Sequence, residues 1–128
     1  MRRKPTKRSP EGQAALDNFR DRWQGKPCWG CCGIWIPFER HHIVGRDGIL
    51  CYDDERNLAH LCEMCHDVYH DHGIKTWHGR TVKVFLTLEN ILRLKKLRDP
   101  DYWDLAFLRE LAGPGDGRLN MAFEEGLK

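Results

Sequence analysis

Apolar positions near the N-terminus follow a helical repeat. Ser9 followed by Pro10 is typical of a helix start, because serine caps free backbone N–H groups and proline fits the first helical position. The residues after this start place apolar side chains on one helical face: Leu16, Phe19 and Trp23. The pattern therefore predicts a helix from about residue 10 that ends at Gly25 and Pro27.

The C-terminal half shows helical spacing in two further segments. Thr87 can cap a helix whose apolar positions are Leu88, Ile91, Leu92 and Leu97. Asp99 and Pro100 are predicted to start the next helix, which runs to Gly113. These C-terminal helices span about residues 87–112, and the residues after the following glycine-rich stretch are predicted to form a short tail.

Between these helices the apolar pattern is shorter and predicts strands and turns. Residues 34–38 alternate in character and predict an extended segment, and residues 41–44 predict a second strand. The Gly-Arg-Asp-Gly stretch at 45–48 is typical of a turn. A helix is predicted from about Glu63 to His72, whereas residues 74–86 are left open because no turn signal isolates a strand. The fold class that follows is α+β.

Length and composition are typical of one globular domain. The chain has 128 residues, of which 41% are hydrophobic and 31% are charged. It contains no apolar run long enough to span a membrane, and its start lacks the apolar stretch of a secretory signal. We therefore expect a cytoplasmic protein with a single domain over residues 9–128.

Residues 1–8 form a basic arm that we expect to be flexible. It carries five positive charges and no acidic residue: Arg2, Arg3, Lys4, Lys7 and Arg8. Subtracting these five from the net charge of +2 leaves −3 for the rest of the chain. Such an arm can neutralise phosphates and release counterions without reading base sequence, so it is predicted to bind DNA.

Two C-x-x-C pairs predict a structural zinc site. Cys28 and Cys31 form the first pair, and Cys62 and Cys65 form the second. Interleaved histidines and the missing signal favour zinc thiolates in a reducing compartment over disulfides. Four thiolates close a tetrahedral shell, so this Zn²⁺ is expected to hold the fold without taking part in chemistry. Cys32 could replace Cys31, but the tighter spacing favours Cys31.

Histidines between and after these pairs predict a second metal site. His66 and His70 lie four residues apart on the predicted helix, which places both on one face about 5–6 Å apart at Cβ. His41 and His42 are neighbours on a presumed strand, so their side chains point to opposite faces. One of them can therefore bind an ion with His66 and His70 while the other addresses water. The remaining histidines are expected to be exposed: His60, His72 and His78.

In this order, the motifs resemble the HNH endonuclease family, also called ββα-metal or His-Me finger nucleases. The resemblance covers about residues 28–72 and includes C-x-x-C, ERHHIV at 39–44, NLAHLC at 57–62 and CHDVYH at 65–70. The three family letters fall on His42, Asn57 and His66. The pair His41-His42 and the second helical histidine, His70, look most like the colicin-type site, whereas many zinc-bearing relatives have Asp before the catalytic His.

This resemblance implies a small ββα-metal core with flanking helices that hydrolyses DNA phosphodiesters, in a bacterial or phage protein. By the same resemblance, His42 is the general base and the Asn57 amide braces the loop that holds it. The catalytic ion would be bound by His41, His66 and His70. Three imidazoles suit Mn²⁺, Co²⁺, Ni²⁺ or Zn²⁺ better than Mg²⁺. The products would carry 3′-hydroxyl and 5′-phosphate ends.

The expected partner is DNA rather than a membrane. Arg40 and Arg46 flank the predicted base and are candidate phosphate contacts. A monomer is favoured, which would nick one strand, while double-strand cleavage would need a dimer or two events. The main alternative is a non-catalytic zinc module that binds nucleic acid, although such a module needs none of the four histidines. Phage packaging, restriction, mobility and repair all remain open as the cellular role.

Overall fold

The computed structural model describes most of the chain. The described residues are 9–34, 37–45, 53–70, 74–77, 79–83, 86–113 and 115–128. Some predicted features lie outside them: the basic arm with Arg2, Arg3, Lys4, Lys7 and Arg8, and also Arg46, His72 and His78.

The described residues form a mixed structure of helices and short antiparallel strands, so the fold class is α+β. The elements in chain order are α1 Pro10–Trp23, β1 Phe38–His42, β2 Leu58–Cys62, α2 Glu63–His70, β3 Ile74–Trp77, β4 Arg80–Lys83, α3 Leu88–Arg98, α4 Leu105–Ala112 and α5 Gly117–Gly126. Short 3₁₀ turns at Glu55–Asn57 and Pro100–Tyr102 precede β2 and α4. Among these helices, none is long and apolar enough to span a membrane.

Helix α1 confirms the predicted N-terminal helix. Ser9 caps it, with the Gly12 N–H donating to Ser9 Oγ at 3.0 Å. Its apolar face is buried against the aromatic ring of Trp29, which lies 5.0 Å from Trp23 between ring centroids. Trp23 also stacks on His60 of β2, so the apolar face of the helix packs against the sheet and the loop that carries Trp29.

Strands β1 and β2 pair in antiparallel register and connect the cysteines to the histidines. Phe38 lies opposite Cys62 and His42 lies opposite Leu58. The sequence predicted an extended segment at 34–38 and a strand at 41–44. Residues 35 and 36 lie outside the described part of the chain, and the strand that is described runs over Phe38–His42. Strand β2 was not predicted. All five of its residues are buried, so it lacks the alternation that identifies a half-exposed strand.

Residues left open by the sequence form the β3–β4 hairpin. Trp77 pairs with Arg80 across its turn, and Gly79 there has φ of +76°. A positive φ is common in two-residue hairpin turns, and glycine adopts it without steric cost. Gly79 is therefore the turn signal that separates β3 from β4, contrary to the expectation that residues 74–86 contain none.

Helix α3 confirms the predicted cap, because the Asn90 N–H donates to Thr87 Oγ1 at 3.2 Å. The helix predicted to start at Asp99-Pro100 begins later, at Leu105. Its cap is Asp104, whose Oδ1 accepts from the Phe107 N–H at 3.0 Å. Residues Pro100–Tyr102 form only a 3₁₀ turn.

The predicted C-terminal tail is wrong, because residues Gly117–Gly126 form helix α5. Asp116 caps this helix, with its Oδ1 accepting from the Leu119 N–H at 3.0 Å. The helix packs closely on α3: a Cβ added at Gly126 would lie 2.9 Å from Leu92 Cβ. The glycine-rich stretch before it is thus a connection between two packed helices.

A buried lysine joins α3 to the segment that leads into β2. Lys95 Nζ donates to Asp99 Oδ2 at 2.7 Å, to the Leu58 carbonyl at 2.8 Å and to the Glu55 carbonyl at 2.6 Å. Arg22 of α1 bridges the Asp99 and Glu55 carboxylates at 2.8 and 3.0 Å. These bonds fix the start of β2 against both α1 and α3.

Candidate metal centres and the adjacent histidine

Four cysteine sulfurs meet where β2 runs into α2. Cys28 and Cys31 lie in the loop after α1, Cys62 ends β2, and Cys65 lies in the first turn of α2. The four sulfurs lie within 4.8 Å of one another. Two sulfurs bound to tetrahedral zinc at about 2.3 Å would be about 3.8 Å apart. Cys31 Sγ and Cys62 Sγ are 3.8 Å apart, so the cluster has dimensions that fit zinc.

Backbone N–H groups point at these sulfurs. Cys28 Sγ accepts from the N–H groups of Gly30 and Cys62, each at 3.3 Å. Cys62 Sγ accepts from the Cys65 N–H at 3.4 Å. Hydrogen bonds of this kind stabilise thiolate charge, because each donor places a partial positive charge beside the sulfur.

The four thiols lie close enough together to affect one another's ionisation. Cys28 accepts hydrogen bonds from the Cys62 and Cys65 thiols, which holds the pKa of Cys28 far below its usual range. The same bonds raise the pKa of Cys62 to about 11 and that of Cys65 further. Four thiolates this close repel one another, so they need a bound cation to ionise together. The cluster can therefore hold a structural metal such as zinc.

Cys31, and not its neighbour Cys32, lies in the cluster with the other three sulfurs. Cys32 is exposed, and its backbone adopts a left-handed conformation with φ of 61°. The Cys32 N–H donates to the Cys28 carbonyl at 3.0 Å, which closes the turn around the first pair. The Cys32 side chain lies outside the four-sulfur cluster.

A second donor set contains the three histidines that the sequence assigned to an ion. His41 comes from β1, and His66 and His70 come from adjacent turns of α2. One nitrogen from each ring lies within 4.8 Å of the others. His66 Nε2 and His70 Nε2 are only 3.0 Å apart. Strand β1 and helix α2 thus bring three imidazoles to one point.

These imidazoles are suited to binding a divalent ion. Burial lowers the pKa of His41 to about 3, so the ring is neutral and keeps a lone pair. Its buried Nε2 has no hydrogen-bond partner among the described residues. Burial also lowers the pKa of His66, although the Glu39 carboxylate opposes the shift. Glu39 Oε2 lies 2.6 Å from His66 Nδ1 and orients the ring, as acceptors behind metal-bound histidines do.

His42 faces the opposite side of β1 from His41. Its Nε2 lies 2.8 Å from Asp53 Oδ1, and the Asp53 side chain is only 5% exposed. The His42 side chain is 28% exposed, so part of the ring is accessible to solvent. The sequence predicted no role for Asp53, because nothing in the local pattern links it to a residue eleven positions earlier.

Asn57 fixes the backbone that follows His42. Its Oδ1 accepts from the Val44 N–H at 2.8 Å, and its Nδ2 donates to the Val44 carbonyl at 3.0 Å. The Ile43 N–H also donates to the Asn57 carbonyl at 2.8 Å. Asn57 is fully buried, so these bonds are shielded from water. The structure therefore places Asn57 where it can brace the segment carrying His42.

An open depression lies beside His42. Its volume is about 390 Å³, and it is lined by Leu16, Pro37, Phe38, Glu39, Arg40 and His42. Arg40 shares one face of β1 with His42, as residues two apart on a strand do. Its Nη1 lies 3.8 Å from Asp17 Oδ1 and has no hydrogen-bond partner among the described residues. The Arg40 side chain is 34% exposed and lies beside the predicted base, whereas its Nη1 atom is buried near Asp17.

His60 was expected to be exposed, and this prediction is wrong. The residue is 5% exposed. Its ring stacks between Phe38 and Trp23, with centroid distances of 4.2 and 5.7 Å. Its Nε2 lies 2.9 Å from the Lys26 carbonyl oxygen. His60 is therefore part of the packing between α1 and the sheet, because β2 is buried along its whole length.

Comparisons of this chain with protein-family models, with curated proteins and with solved structures found no match. A function is therefore argued from the cysteine and histidine donor atoms and from the groups that orient them.

Proposed function

We propose that this protein is a metal-dependent endonuclease of the HNH type that hydrolyses phosphodiester bonds in DNA. The observation that carries the proposal is the different surroundings of two neighbouring residues. His41 belongs to a three-imidazole donor set, whereas His42 is hydrogen-bonded to a buried carboxylate and partly open to solvent. A module that only binds nucleic acid needs neither arrangement.

His41, His66 and His70 would hold the catalytic ion. Three protein ligands leave coordination positions open, unlike the closed set of four cysteines. A divalent ion bound there would supply Lewis-acid chemistry, polarising a phosphate and stabilising negative charge on the leaving 3′ oxygen. Glu39 contributes by holding the ring of His66.

His42 is the proposed general base. It takes a proton from a water molecule as the water oxygen forms a bond to phosphorus. The bond between phosphorus and the 3′ oxygen breaks, leaving a 5′-phosphate and, after protonation of the leaving oxygen, a 3′-hydroxyl. Asn57 supports this step by fixing the backbone at Val44, two residues after the base.

Arg40 is the proposed phosphate contact within the described residues. It lines the same depression as His42, and a guanidinium at this position can donate to a phosphate oxygen. The basic residues of the N-terminal arm would add contacts that do not depend on base sequence. Zinc at the four cysteines would hold the junction of β2 and α2, and so the relative positions of His41 and His66.

A plasmid assay tests this proposal. Chelator-treated protein is incubated with supercoiled DNA and one divalent ion at a time. We expect nicked product from the parental protein. We expect the His42→Ala variant to be slower by about 10²–10⁴ while retaining its metal content and DNA affinity. Arg118→Ala, on the exposed surface of α5, serves as the control and should cut like the parent.

Two outcomes would contradict the proposal. Cleavage by His42→Ala at the parental rate would remove His42 as the base. DNA binding without cleavage in the presence of any ion would instead favour a non-catalytic zinc module that binds nucleic acid.

A further inference from the structure

We infer that Asp53 is a positioning residue that fixes which nitrogen of His42 carries the proton, an inference that rests on the proposed function of His42. Asp53 would accept a hydrogen bond from His42 Nε2–H. The other ring nitrogen, Nδ1, would then be bare and would be the atom that takes a proton from water.

The contact between the two side chains supports this assignment. Asp53 Oδ1 lies 2.8 Å from His42 Nε2, and the carboxylate is almost fully buried. An ionised carboxylate can only accept hydrogen bonds, so the bond requires a proton on Nε2. A neutral imidazole carries one proton, and its two nitrogens therefore take opposite roles. The pairing selects the tautomer in which Nδ1 is the acceptor.

The first turn of α1 holds Asp53 in place. A Cβ added at Gly12 would lie 3.0 Å from Asp53 Cβ and 3.1 Å from Asp53 Oδ2. Helix α1 can approach this closely because Gly12 has no side chain. Asp53 is thus packed from one side by α1 and hydrogen-bonded on the other side to His42.

Asp53 and Asn57 hold the predicted base through the same short segment. Asp53 directly precedes Asp54, the cap of the Glu55–Asn57 turn, and its side chain contacts the His42 ring. Asn57 ends that turn and bonds the backbone at Val44. One segment therefore fixes both the orientation of the imidazole and the path of the strand that carries it.

Asp53→Asn tests the role of the carboxylate with little change in shape. The amide can donate N–H to His42 Nε2, which would favour the tautomer with the proton on Nδ1. That tautomer cannot accept a proton at Nδ1, so we expect kcat to fall by about 10²–10⁴. KM and zinc content should stay at parental values, which a general loss of structure would not allow. A parental kcat in this variant would overturn the inference.

Gly12→Ala tests the packing without changing any ionisable group. The new methyl group must displace Asp53 by a few tenths of an ångström, and misplacement on the ångström scale can cost up to about 10²-fold. We expect a lower kcat with little change in KM. Gly117→Ala is the matched control in α5, because a Cβ there meets nothing within 4 Å. Equal kcat values for the two alanine variants would contradict the inferred contact.

Imidazole nitrogen NMR at mildly alkaline pH tests the tautomer without using activity. The His42 signals are identified by their loss in His42→Ala. We expect the proton on Nε2 in the parental protein and on Nδ1 in Asp53→Asn. A proton on Nδ1 in the parental protein would overturn the inference even if the enzyme cuts DNA. If the parental protein does not cut, the proposed function fails, while this measurement still decides the role of Asp53.

Discussion

At the scale of single residues, His41 and His42 are chemically identical but differ in what surrounds them. Neighbouring side chains on a strand point to opposite faces, and here the faces meet different elements. His41 meets the histidines of α2, whereas His42 meets Asp53 and the depression beside α1. The proposed division between an ion ligand and a base therefore follows from strand geometry.

Glu39 provides a test of the three-imidazole site. We expect Glu39→Gln to weaken binding of Mn²⁺ to the chelator-treated protein by about 10–100-fold, because the His66 ring loses its ionised partner. Titration calorimetry measures this affinity. Glu124→Gln, at an exposed position of α5, is the control. Equal affinities in the two variants would mean that Glu39 does not support an ion at His66.

The sequence predicted the donor atoms better than the groups that orient them. The cysteines and histidines stand out because their types and spacing are unusual. Asp53 and Glu39 are ordinary acidic residues in the sequence, and their partners are set by how α1, β1 and α2 pack. The burial of His60 follows from the same packing, so the local sequence could not predict it either.

At the scale of elements, the four-cysteine cluster joins β2 to α2 and to the loop after α1. We expect Cys65→Ser to unfold the protein, because zinc binding contributes about 10 kcal/mol to folding in favourable cases. Cys32→Ser is the matched control, since its side chain is exposed and lies outside the cluster. Thermal melting followed by circular dichroism compares them. A cooperative melt of zinc-free Cys65→Ser would rule out the structural role.

Lys95 gives a second test at this scale. Lys95→Met leaves the buried Asp99 without one partner, so we expect the free energy of unfolding to fall by about 3–5 kcal/mol at neutral pH. Urea denaturation measures it, with the exposed Lys96→Met as the control.

Burial also gives Lys95 a pH signature. It lowers the pKa of Lys95 from 10.5 to about 8, although Asp99 opposes the shift. Between these values the unfolded chain holds more protons, so this residue makes the folded state relatively more stable as pH rises. The same dependence in Lys95→Met would show that another group causes it.

Helices α1 and α3 were predictable from the sequence, whereas β2 and α5 were not. Ser9 and Thr87 identified α1 and α3 because their side chains cap the first turn. Strand β2 has no polar face, so periodicity could not identify it. Helix α4 is capped by Asp104 rather than Asp99, because both aspartates can cap a helix and the local sequence does not decide between them.

At the scale of the whole molecule, the N-terminal arm would add affinity for DNA without adding specificity. We expect replacement of its five basic residues by glutamine to weaken binding equally on unrelated duplexes. Each lost phosphate contact should reduce the slope of log affinity against log salt concentration by about 0.9. Fluorescence anisotropy at several salt concentrations measures this slope. An unchanged slope would exclude the arm from DNA binding.

The choice of ion is also a property of the assembled site. Three imidazoles favour transition metals over Mg²⁺, which prefers carboxylate and water ligands. We expect chelator-treated protein to recover more cleavage with Mn²⁺, Co²⁺ or Ni²⁺ than with equal Mg²⁺. Replacing His41 by Asp should shift the preference toward Mg²⁺. Full activity with Mg²⁺ and none with the other ions would exclude an all-histidine site.

The most direct measurement follows plasmid cleavage and metal content together as Mn²⁺ is returned to zinc-loaded, chelator-treated protein. Cleavage should be absent before Mn²⁺ is added. It should rise with the amount of bound Mn²⁺ until one ion is bound per chain, while the zinc content stays constant. Cleavage that is already complete without the added ion, or absent when that ion is fully bound, would contradict a nuclease with one closed and one open metal site.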